Sequence, residues 1–254
     1  MSRFDLTGKI ALVTGASRGI GRAIAQSLAA QGAGVIVHYK QAQDAADAVA
    51  AEIRQHGGRA WTTTADLASP DGAARLADAA QAIVSEAGSE RLDILVNNAG
   101  VGLRSRIAEV TPDDFDRVLQ VNLKTPFFLI QRLLPLLRDG GRIINVSSMG
   151  TRAAYPEMSV YAPAKAGLEA LTLLLAAELG ARNITVNAVL PGATATDLNQ
   201  RASDPETARV IAQSIALGRV GQPDDIAGIV AFLASDAARW VTGQRIDATG
   251  GQRL

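Results

Sequence analysis

Tyr161 and Lys165 lie four residues apart in SVYAPAKAGLEALTLLLAAEL, a stretch whose pattern predicts a helix. Residues at i and i+4 share one helix face, so the ammonium group should lie near the phenol. A free tyrosine has a pKa of about 10, and a nearby positive charge favours the phenolate and lowers that value. The pair could therefore transfer a proton near neutral pH; the alternative is an ordinary surface pair. Pro163 is tolerated only in a first helical turn, which predicts that the helix begins near Ser159.

A glycine-rich turn, TGASRGIG, separates an apolar run from a helical pattern near the start of the chain. Its glycines, Gly15, Gly19 and Gly21, have the spacing G-x-x-x-G-x-G. Such a turn lets the backbone approach a pyrophosphate closely, while the next helix offers free N–H groups and a favourable dipole. The spacing departs from the usual G-x-G-x-x-G and lacks the Gly-Lys-Ser/Thr of triphosphate loops. Phosphate binding is favoured over a plain strand-to-helix turn.

The elements that would position these residues are seven short β-rich runs that alternate with alanine-rich helical stretches. The runs are KIALVTG, GVIVHY, RAWTTTAD, LDILVNNAG, GRIINVSS, ITVNAVLPG and RIDATGG. Strands that are apolar along their length and joined through helices indicate a parallel sheet covered on both faces. The sequence predicts one doubly wound α/β domain over residues 1–254. The polar segment from Gly192 to Leu217 follows a strand, where such sheets place ligands, and is expected to be a mobile, irregular substrate loop.

The amino-acid composition argues against several classes of function. Lys plus Arg and Asp plus Glu each number 25, so no net field favours nucleic acid or an anionic membrane. There is no cysteine, and His38 and His56, expected at a strand end and a helix end, are the only imidazoles, so a metal site is not expected. The first residues do not form a signal peptide, and no apolar run is long enough for a membrane span. We expect a cytoplasmic protein without nucleic-acid or membrane partners.

Several motifs occur together in one order along the chain. These are TGASRGIG, then NNAG at Asn97–Gly100, VSSMG around Ser148, YAPAK at Tyr161–Lys165, PG at Pro191 and the closing TGQRIDATGG. In this order they resemble the short-chain dehydrogenase/reductase family over essentially the whole chain. The resemblance implies a Rossmann-type sheet, a nicotinamide cofactor and hydride transfer between that cofactor and a carbonyl or alcohol.

The resemblance also implies a catalytic tetrad of Asn122, Ser148, Tyr161 and Lys165. Tyr161 would be the general acid in reduction, and Ser148 would hydrogen-bond the substrate oxygen as charge develops. Asn122 would hold a water that relays protons through Lys165. For Asn122 alone, a satisfied structural role is the alternative.

The end of the second strand predicts which nicotinamide cofactor is used. NAD-preferring members usually carry an acid there, whereas this chain has Tyr39 followed by Lys40, with Arg18 in the glycine turn. Two cations could face a 2'-phosphate, so NADP(H) is preferred and NAD(H) is the second choice; ordinary solvated charges are the alternative. Asp66 matches the adenine-binding position, or is a turn or cap carboxylate. The expected cofactor contacts are Gly15, Ser17, Arg18, Gly19, Ile20, Gly21, Tyr39, Lys40, Asp66, Leu67, Asn98, Ala99, Gly100, Tyr161, Lys165, Pro191, Gly192 and Thr196.

The substrate is less well defined by sequence. Members that act on an acyl carrier protein tend to carry basic residues beside the site; here Arg138, Arg142 and Arg182 remain, with Asp139 among them. A small ketone or aldehyde is the first expectation, and 3-oxoacyl-[acyl-carrier-protein] reduction is the alternative. A non-catalytic protein that senses nicotinamide nucleotides is the alternative of another class. The leucine-rich helix has excess apolar surface and pairs across an interface in the family, which predicts a homotetramer.

Overall fold

The protein, described by a computed structural model over residues 4–253, is built around a seven-stranded parallel sheet. All seven predicted strands are present; residues 1–3 and 254 of the predicted domain lie outside the described residues. The strands are β1 (Ile10–Val13), β2 (Gly34–Tyr39), β3 (Arg59–Thr64), β4 (Leu92–Asn97), β5 (Leu137–Val146), β6 (Thr185–Pro191) and β7 (Arg245–Ala248). The predicted doubly wound α/β fold is confirmed.

The strand order creates a topological switch point between β1 and β4. The order is β3-β2-β1-β4-β5-β6-β7, so the chain winds one way from β1 to β3 and the other way from β4 to β7. Val13 pairs with Val37 on one side and with Val96 on the other, which brings the ends of β1, β2 and β4 level. Open α/β sheets bind ligands in the crevice at such a switch point.

Helices cover both faces of the sheet. They are α1 (Gly19–Ala30), α2 (Gln43–Gln55), α3 (Gly72–Glu86), α4 (Pro112–Leu119), α5 (Thr125–Leu133), α6 (Tyr161–Glu178), α7 (Gln200–Ser203), α8 (Pro205–Ala212) and α9 (Pro223–Ala234). One core joins α1, α2 and α9 to the sheet through residues such as Ile24, Val49 and Val230. The opposite core joins α3, α5 and α6 through Leu76, Leu133 and Leu175. Burial on both faces explains why a central strand such as β1 reads as a continuous apolar run.

Helix α6 begins at Tyr161, two residues later than predicted. Pro163 is its third residue and lies in the first turn, where its missing N–H costs nothing. The helix interior begins with Ala164 N–H, which donates to Val160 O at 3.1 Å. The proline therefore fixes where α6 begins, and so fixes the position of Tyr161.

The segment from Gly192 to Leu217 is more regular than predicted. It contains α7 and α8, and the Asp204 carboxylate caps α8 by accepting from Thr207 N–H at 2.8 Å. Pro205 occupies the first position of α8. The sequence does carry this start signal, an Asp cap followed by Pro, but the polar composition of the segment obscured it. Within residues 4–253, no helix combines the length and the apolar character needed to cross a membrane.

Candidate active site

The glycine turn after β1 holds its backbone against the end of β4. Gly15 has φ +64° and Gly19 has φ +55°, a region that favours glycine. A Cβ on Gly15 would lie 3.0 Å from the Cα of Ala99, and one on Gly21 would collide with the carbonyl oxygen of Gly15. Gly15 and Gly19 are therefore favoured by their backbone conformation, and Gly15 and Gly21 by the lack of space for a Cβ.

Polar side chains fix this turn to the segment that follows β4. Thr14 Oγ1 accepts from the backbone N–H groups of Asn98 and Ala99 at 3.0 and 2.9 Å. The Asn98 amide in turn donates to Thr14 O at 2.9 Å and to Gly15 O at 3.1 Å. Sequence reasoning placed Asn98 and Ala99 at the cofactor but gave no role to Thr14, whose hydroxyl connects the two loops.

The N-terminus of α1 is open toward the crevice. Its N-cap is Arg18, whose side chain makes no capping hydrogen bond, so the first N–H groups of α1 have no side-chain acceptor. Ser17 and Ile20 are half-buried beside it, and Ile20 packs on the core around α1. Uncapped N–H groups, the positive end of the helix dipole and a glycine backbone fit a pyrophosphate.

Both predicted phosphate-reading cations are paired with carboxylates. Lys40 Nζ lies 3.0 Å from Asp66 Oδ2, and Arg18 Nε lies 3.5 Å from Asp197 Oδ2. All four side chains are between 44% and 70% exposed, so these pairs can open at little cost. The two cations and the N-terminus of α1 flank the switch point.

The remaining adenine-side residues surround the ends of β2 and β3. Asp66 Oδ1 accepts from Ala68 N–H at 2.9 Å, so the turn role foreseen as its alternative is present, and Oδ2 pairs with Lys40. Leu67 is buried, and its carbonyl oxygen accepts from Thr125 Oγ1 at 2.7 Å. Tyr39 is 8% exposed and belongs to the core rather than the open surface.

Ser148 and Tyr161 form a hydrogen-bonded pair at the end of β5. Ser148 follows the strand and caps a short 3-10 turn, its Oγ accepting from Gly150 N–H at 3.1 Å. Tyr161 opens α6, and its side chain hydrogen-bonds with that of Ser148. The sheet and the helix thus bring two hydroxyl groups, thirteen residues apart in sequence, into contact.

The expected lowering of the Tyr161 pKa by Lys165 is wrong for this arrangement. Burial raises the pKa of Tyr161 to about 12, and the hydrogen bond with Ser148 opposes that rise. Lys165 Nζ lies 5.9 Å from the Tyr161 ring centroid and donates to Val146 O at 2.9 Å. Burial lowers the pKa of Lys165 to about 8, and the charge of Glu169 works against that shift. Desolvation outweighs the charge of the lysine, with Lys165 buried and Tyr161 half-buried beside it.

Asn122 lies in a π-helical turn, Gln120–Lys124, between α4 and α5. Its Nδ2 donates to Val101 O and Val118 O, both at 2.9 Å. Its Oδ1 is buried and has no hydrogen-bond partner within residues 4–253. A Cβ on Gly100 would lie 2.8 Å from this oxygen and 3.5 Å from Lys165 Nζ, so both groups border one small space. A buried acceptor without a partner is costly in a structural residue, which favours the functional reading.

A buried carboxylate below the lysine escaped sequence reasoning. The Glu169 side chain is 4% exposed, accepts a short hydrogen bond of 2.5 Å from Ser147 Oγ and lies 3.6 Å from the guanidinium of Arg245. Ser147 Oγ also lies 3.4 Å from Lys165 O. The available signal was an acid at i+4 from Lys165 on the face of α6 that points to the core.

Two loops meet over the other side of the site. Pro191 ends β6, and Gly192 lies so close to Thr249 that a Cβ would fall 2.8 Å from its Cα. Thr196 Cγ2 is the nearest atom to a Cβ on Gly19, at 3.4 Å. The segment that carries Pro191, Gly192 and Thr196 thus reaches the glycine turn. Leu198, 64% exposed, faces Gly102 with its Cδ1 3.5 Å from the Cβ position there.

The arginines considered for a carrier protein lie elsewhere. Arg138 is at the start of β5, and that strand leads to Ser148 at its other end. Arg138 and Arg182 line a cleft of about 350 Å³ at that start, with Arg91. Arg142 is 5% exposed on its side chain and pairs with Asp236 at 3.2 Å. None of these three predicted arginines borders the serine and tyrosine.

A switch-point crevice with an open helix terminus, beside a half-buried serine and tyrosine and a buried lysine, is the arrangement of a dinucleotide-binding oxidoreductase. A family model described as "Enoyl-(Acyl carrier protein) reductase" matches residues 15–253. The chain belongs to the short-chain dehydrogenase/reductase family and is an NAD(P)-dependent oxidoreductase. The resemblance seen in the motifs is confirmed.

Three relatives show how far the similarity extends. The short-chain dehydrogenase/reductase FrzI of Cladobotryum sp is 44% identical over 256 residues, covering 97% of this chain and 96% of its own. A 3-oxoacyl-[acyl-carrier-protein] reductase of Synechocystis sp. is 41% identical over 249 residues, covering 97% of each chain. The structure of angucycline C-6 ketoreductase LanV with bound NADP is 49% identical, with TM-score 0.94, covering 98% of this chain and 97% of that one.

Proposed function

We propose that this protein reduces a ketone or aldehyde to an alcohol with NADPH, reversibly, and that Tyr161 is the general acid. The observation that carries the proposal is the contact of Ser148 with Tyr161 at the end of β5, with Lys165 one turn further along α6. The related ketoreductase LanV holds NADP, which supports the choice of cofactor.

The cofactor would occupy the crevice between the glycine turn and the loop at Gly192. Its pyrophosphate would lie on the N–H groups that begin α1, and its adenine beside Asp66 and Leu67. Lys40 and Arg18 would meet the 2'-phosphate after exchanging their carboxylate partners for it. Bound NADPH would supply the hydride that adds to the carbonyl carbon.

Residues of the chain would stabilise the negative charge that develops on the substrate oxygen. The Ser148 hydroxyl would donate a hydrogen bond to that oxygen, and the Tyr161 hydroxyl would transfer its proton to it. A phenol with a pKa of about 12 keeps this proton until the oxygen becomes strongly basic. Lys165, protonated below about pH 8, would stabilise the phenolate that remains after proton transfer. Asn122 Oδ1 would accept a hydrogen bond from a water that relays protons through Lys165.

The surroundings of the site favour an apolar carbonyl compound. Leu198 is 64% exposed on the segment that follows β6, and its Cδ1 lies 3.5 Å from the Cβ position of Gly102 on the facing loop. The predicted basic residues do not flank Ser148, which argues against a carrier protein as partner. The 41% identity to a 3-oxoacyl-[acyl-carrier-protein] reductase keeps that substrate as the second candidate.

The test is NADPH oxidation by the purified protein against small ketones, aldehydes, diketones, a polycyclic aromatic ketone and a 3-oxoacyl thioester, repeated with NADH. Turnover of free carbonyls with a preference for NADPH is expected. Turnover of the thioester alone would transfer the assignment to the second candidate. Tyr161→Phe should retain NADPH binding and lose turnover by several orders of magnitude. NADPH binding without turnover on any compound would favour the nucleotide-sensing alternative.

The same proposal includes assembly as a homotetramer. Leu173 and Leu174 on α6 are 63% and 67% exposed, and Phe127 and Phe128 on α5 are 43% and 40% exposed. They lie on two helices that cover the same face of the sheet, and clustered exposed apolar side chains mark protein–protein interfaces.

A further inference from the structure

His38 is a buried imidazole that the proposed chemistry does not use. It lies next to the end of β2, is 2% exposed and is surrounded by the ends of β1 and β3. A buried polar ring needs partners for both nitrogens, and both are present. Nδ1 lies 3.1 Å from the backbone nitrogen of Gly15, and Nε2 lies 3.1 Å from the carbonyl oxygen of Ala65.

The two partners determine which nitrogen carries the proton. The N–H of Gly15 can only donate, so Nδ1 must offer its lone pair. The carbonyl oxygen of Ala65 can only accept, so Nε2 must carry the hydrogen. An imidazolium would place a second N–H against that of Gly15 and break this contact. Burial lowers the pKa of His38 to about 4, with the bond to Ala65 opposing that shift, so the ring is neutral at pH 7.

The partners also belong to the two ends of the proposed cofactor site. Gly15 is the first glycine of the turn that would hold the pyrophosphate, and Ala65 directly precedes Asp66 and Leu67 on the adenine side. Backbone hydrogen bonds connect the same segments as the ring contacts. Ala16 N–H donates to His38 O at 2.8 Å, and Ala65 N–H donates to Tyr39 O at 3.2 Å.

We infer that His38, as the neutral Nε2–H tautomer, is a positioning residue that fixes the glycine turn relative to the adenine loop and so sets cofactor affinity. The inference rests on the proposed function for its effect on NADPH, but the tautomer itself is a property of the protein alone. His38 touches neither reacting atoms nor cofactor and acts through the backbone of Gly15 and Ala65.

Three substitutions separate the two hydrogen bonds. Asparagine can place its amide oxygen where Nδ1 stands, which keeps the acceptor for Gly15 but does not reach Ala65. Glutamine can place its amide N–H where Nε2 stands, which keeps the donor to Ala65 but has no acceptor at the δ position. Leucine fills the space and removes both contacts.

The first measurement is ¹⁵N NMR of the imidazole of the wild-type protein at pH 7 without cofactor. The expected result is a protonated Nε2 and an unprotonated Nδ1. An Nδ1–H tautomer or an imidazolium would overturn the inference. This result is independent of turnover, so it tests the tautomer even if His38→Leu does not fold or the proposed reductase activity fails.

The second measurement is the dissociation constant of NADPH, by fluorescence titration, for folded variants. His38→Leu should weaken NADPH binding tenfold or more, whereas His38→Asn and His38→Gln, which each keep one of the two contacts, should weaken it to values between those of His38→Leu and the wild type. NADH should weaken by the same factor, since the pyrophosphate is common to both. Wild-type affinity in His38→Leu, or in both His38→Asn and His38→Gln, would overturn the inference.

Discussion

Asn122 and Lys165 face the same small space beside Gly100. A Cβ at residue 100 would lie 2.8 Å from Asn122 Oδ1 and 3.5 Å from Lys165 Nζ. The oxygen has no partner within residues 4–253, while the ammonium uses one of its three N–H groups on Val146 O. The absence of a side chain at Gly100 therefore leaves a small polar space between the π-helical turn and α6.

Gly100→Ala should fill this space and lower kcat/KM about 10- to 100-fold, because a methyl group must displace the Asn122 amide oxygen. Steady-state kinetics with the best carbonyl substrate would measure the loss, and thermal unfolding would check the fold. Gly102→Ala is the matched control, since its nearest atom is the flexible end of Leu198 at 3.5 Å. If both variants are equally active, the space beside Gly100 has no part in turnover.

The fold was predictable because the spacing of apolar residues along each strand and helix reflects which of its faces are buried. A strand such as β1, buried at every position, reads as an unbroken apolar run, and a helix such as α3 shows an apolar stripe. Element boundaries were less certain: α6 begins two residues after the position deduced from Pro163, and α7 and α8 lie in a segment expected to be irregular.

The site was predictable only where a motif marked it. Ser148, Tyr161 and Lys165 come together as the motifs imply, but the pKa of Tyr161 moves upward, because sequence shows neighbours and not burial. Glu169 was missed, and His38 was assigned to a strand end but to no contact, since each is one polar residue within a buried element. Their partners, Gly15, Ala65 and Ser147, are distant in sequence and meet them only in the folded chain.

The pH dependence of reduction should follow the protonation of Lys165. A protonated Lys165 stabilises the developing phenolate, so kcat/KM should be level below its pKa of about 8 and fall as the pH rises through that value. The negative charge of Glu169 raises this pKa, so Glu169→Gln should move the fall to lower pH. The profiles of kcat/KM against pH measure both effects.

Glu178→Gln is the control for that comparison, because Glu178 ends the same helix and is exposed. Its profile should match that of the wild type. A fall that stays in place in Glu169→Gln, or moves to higher pH, would contradict the assignment of the group to Lys165.

Preference for NADPH should depend on Lys40 and Arg18. Replacing both with alanine removes two charge-assisted contacts to the 2'-phosphate, so the dissociation constant of NADPH should rise tenfold or more while that of NADH changes little. Lys40→Ala also leaves the Asp66 carboxylate, formerly 3.0 Å away, without its cation and facing the phosphate. Fluorescence titration with each cofactor measures the two constants.

Arg22→Ala provides the control for charge, since Arg22 on α1 pairs with Glu52 at 2.9 Å and is half-exposed. Asp66→Asn, combined with Lys40→Ala, distinguishes the effect of losing the Lys40 cation from the effect of leaving the Asp66 carboxylate unpaired. Equal weakening of NADPH and NADH in the double variant would show that the two cations do not discriminate the 2'-phosphate.

Assembly should depend on the exposed leucines of α6. Leu173 and Leu174 are 63% and 67% exposed, and burying a leucine contributes roughly 1.5–3 kcal/mol of free energy. In a symmetric interface each residue occurs on both partners, so a charge at either position is introduced twice and is desolvated twice. Leu173→Asp and Leu174→Asp should therefore reduce the mass measured by sedimentation from that of a tetramer. Val210→Asp, on α8 and 63% exposed, should leave it unchanged. A tetramer that survives both leucine substitutions, or a wild-type monomer, would refute an interface on this face of α6.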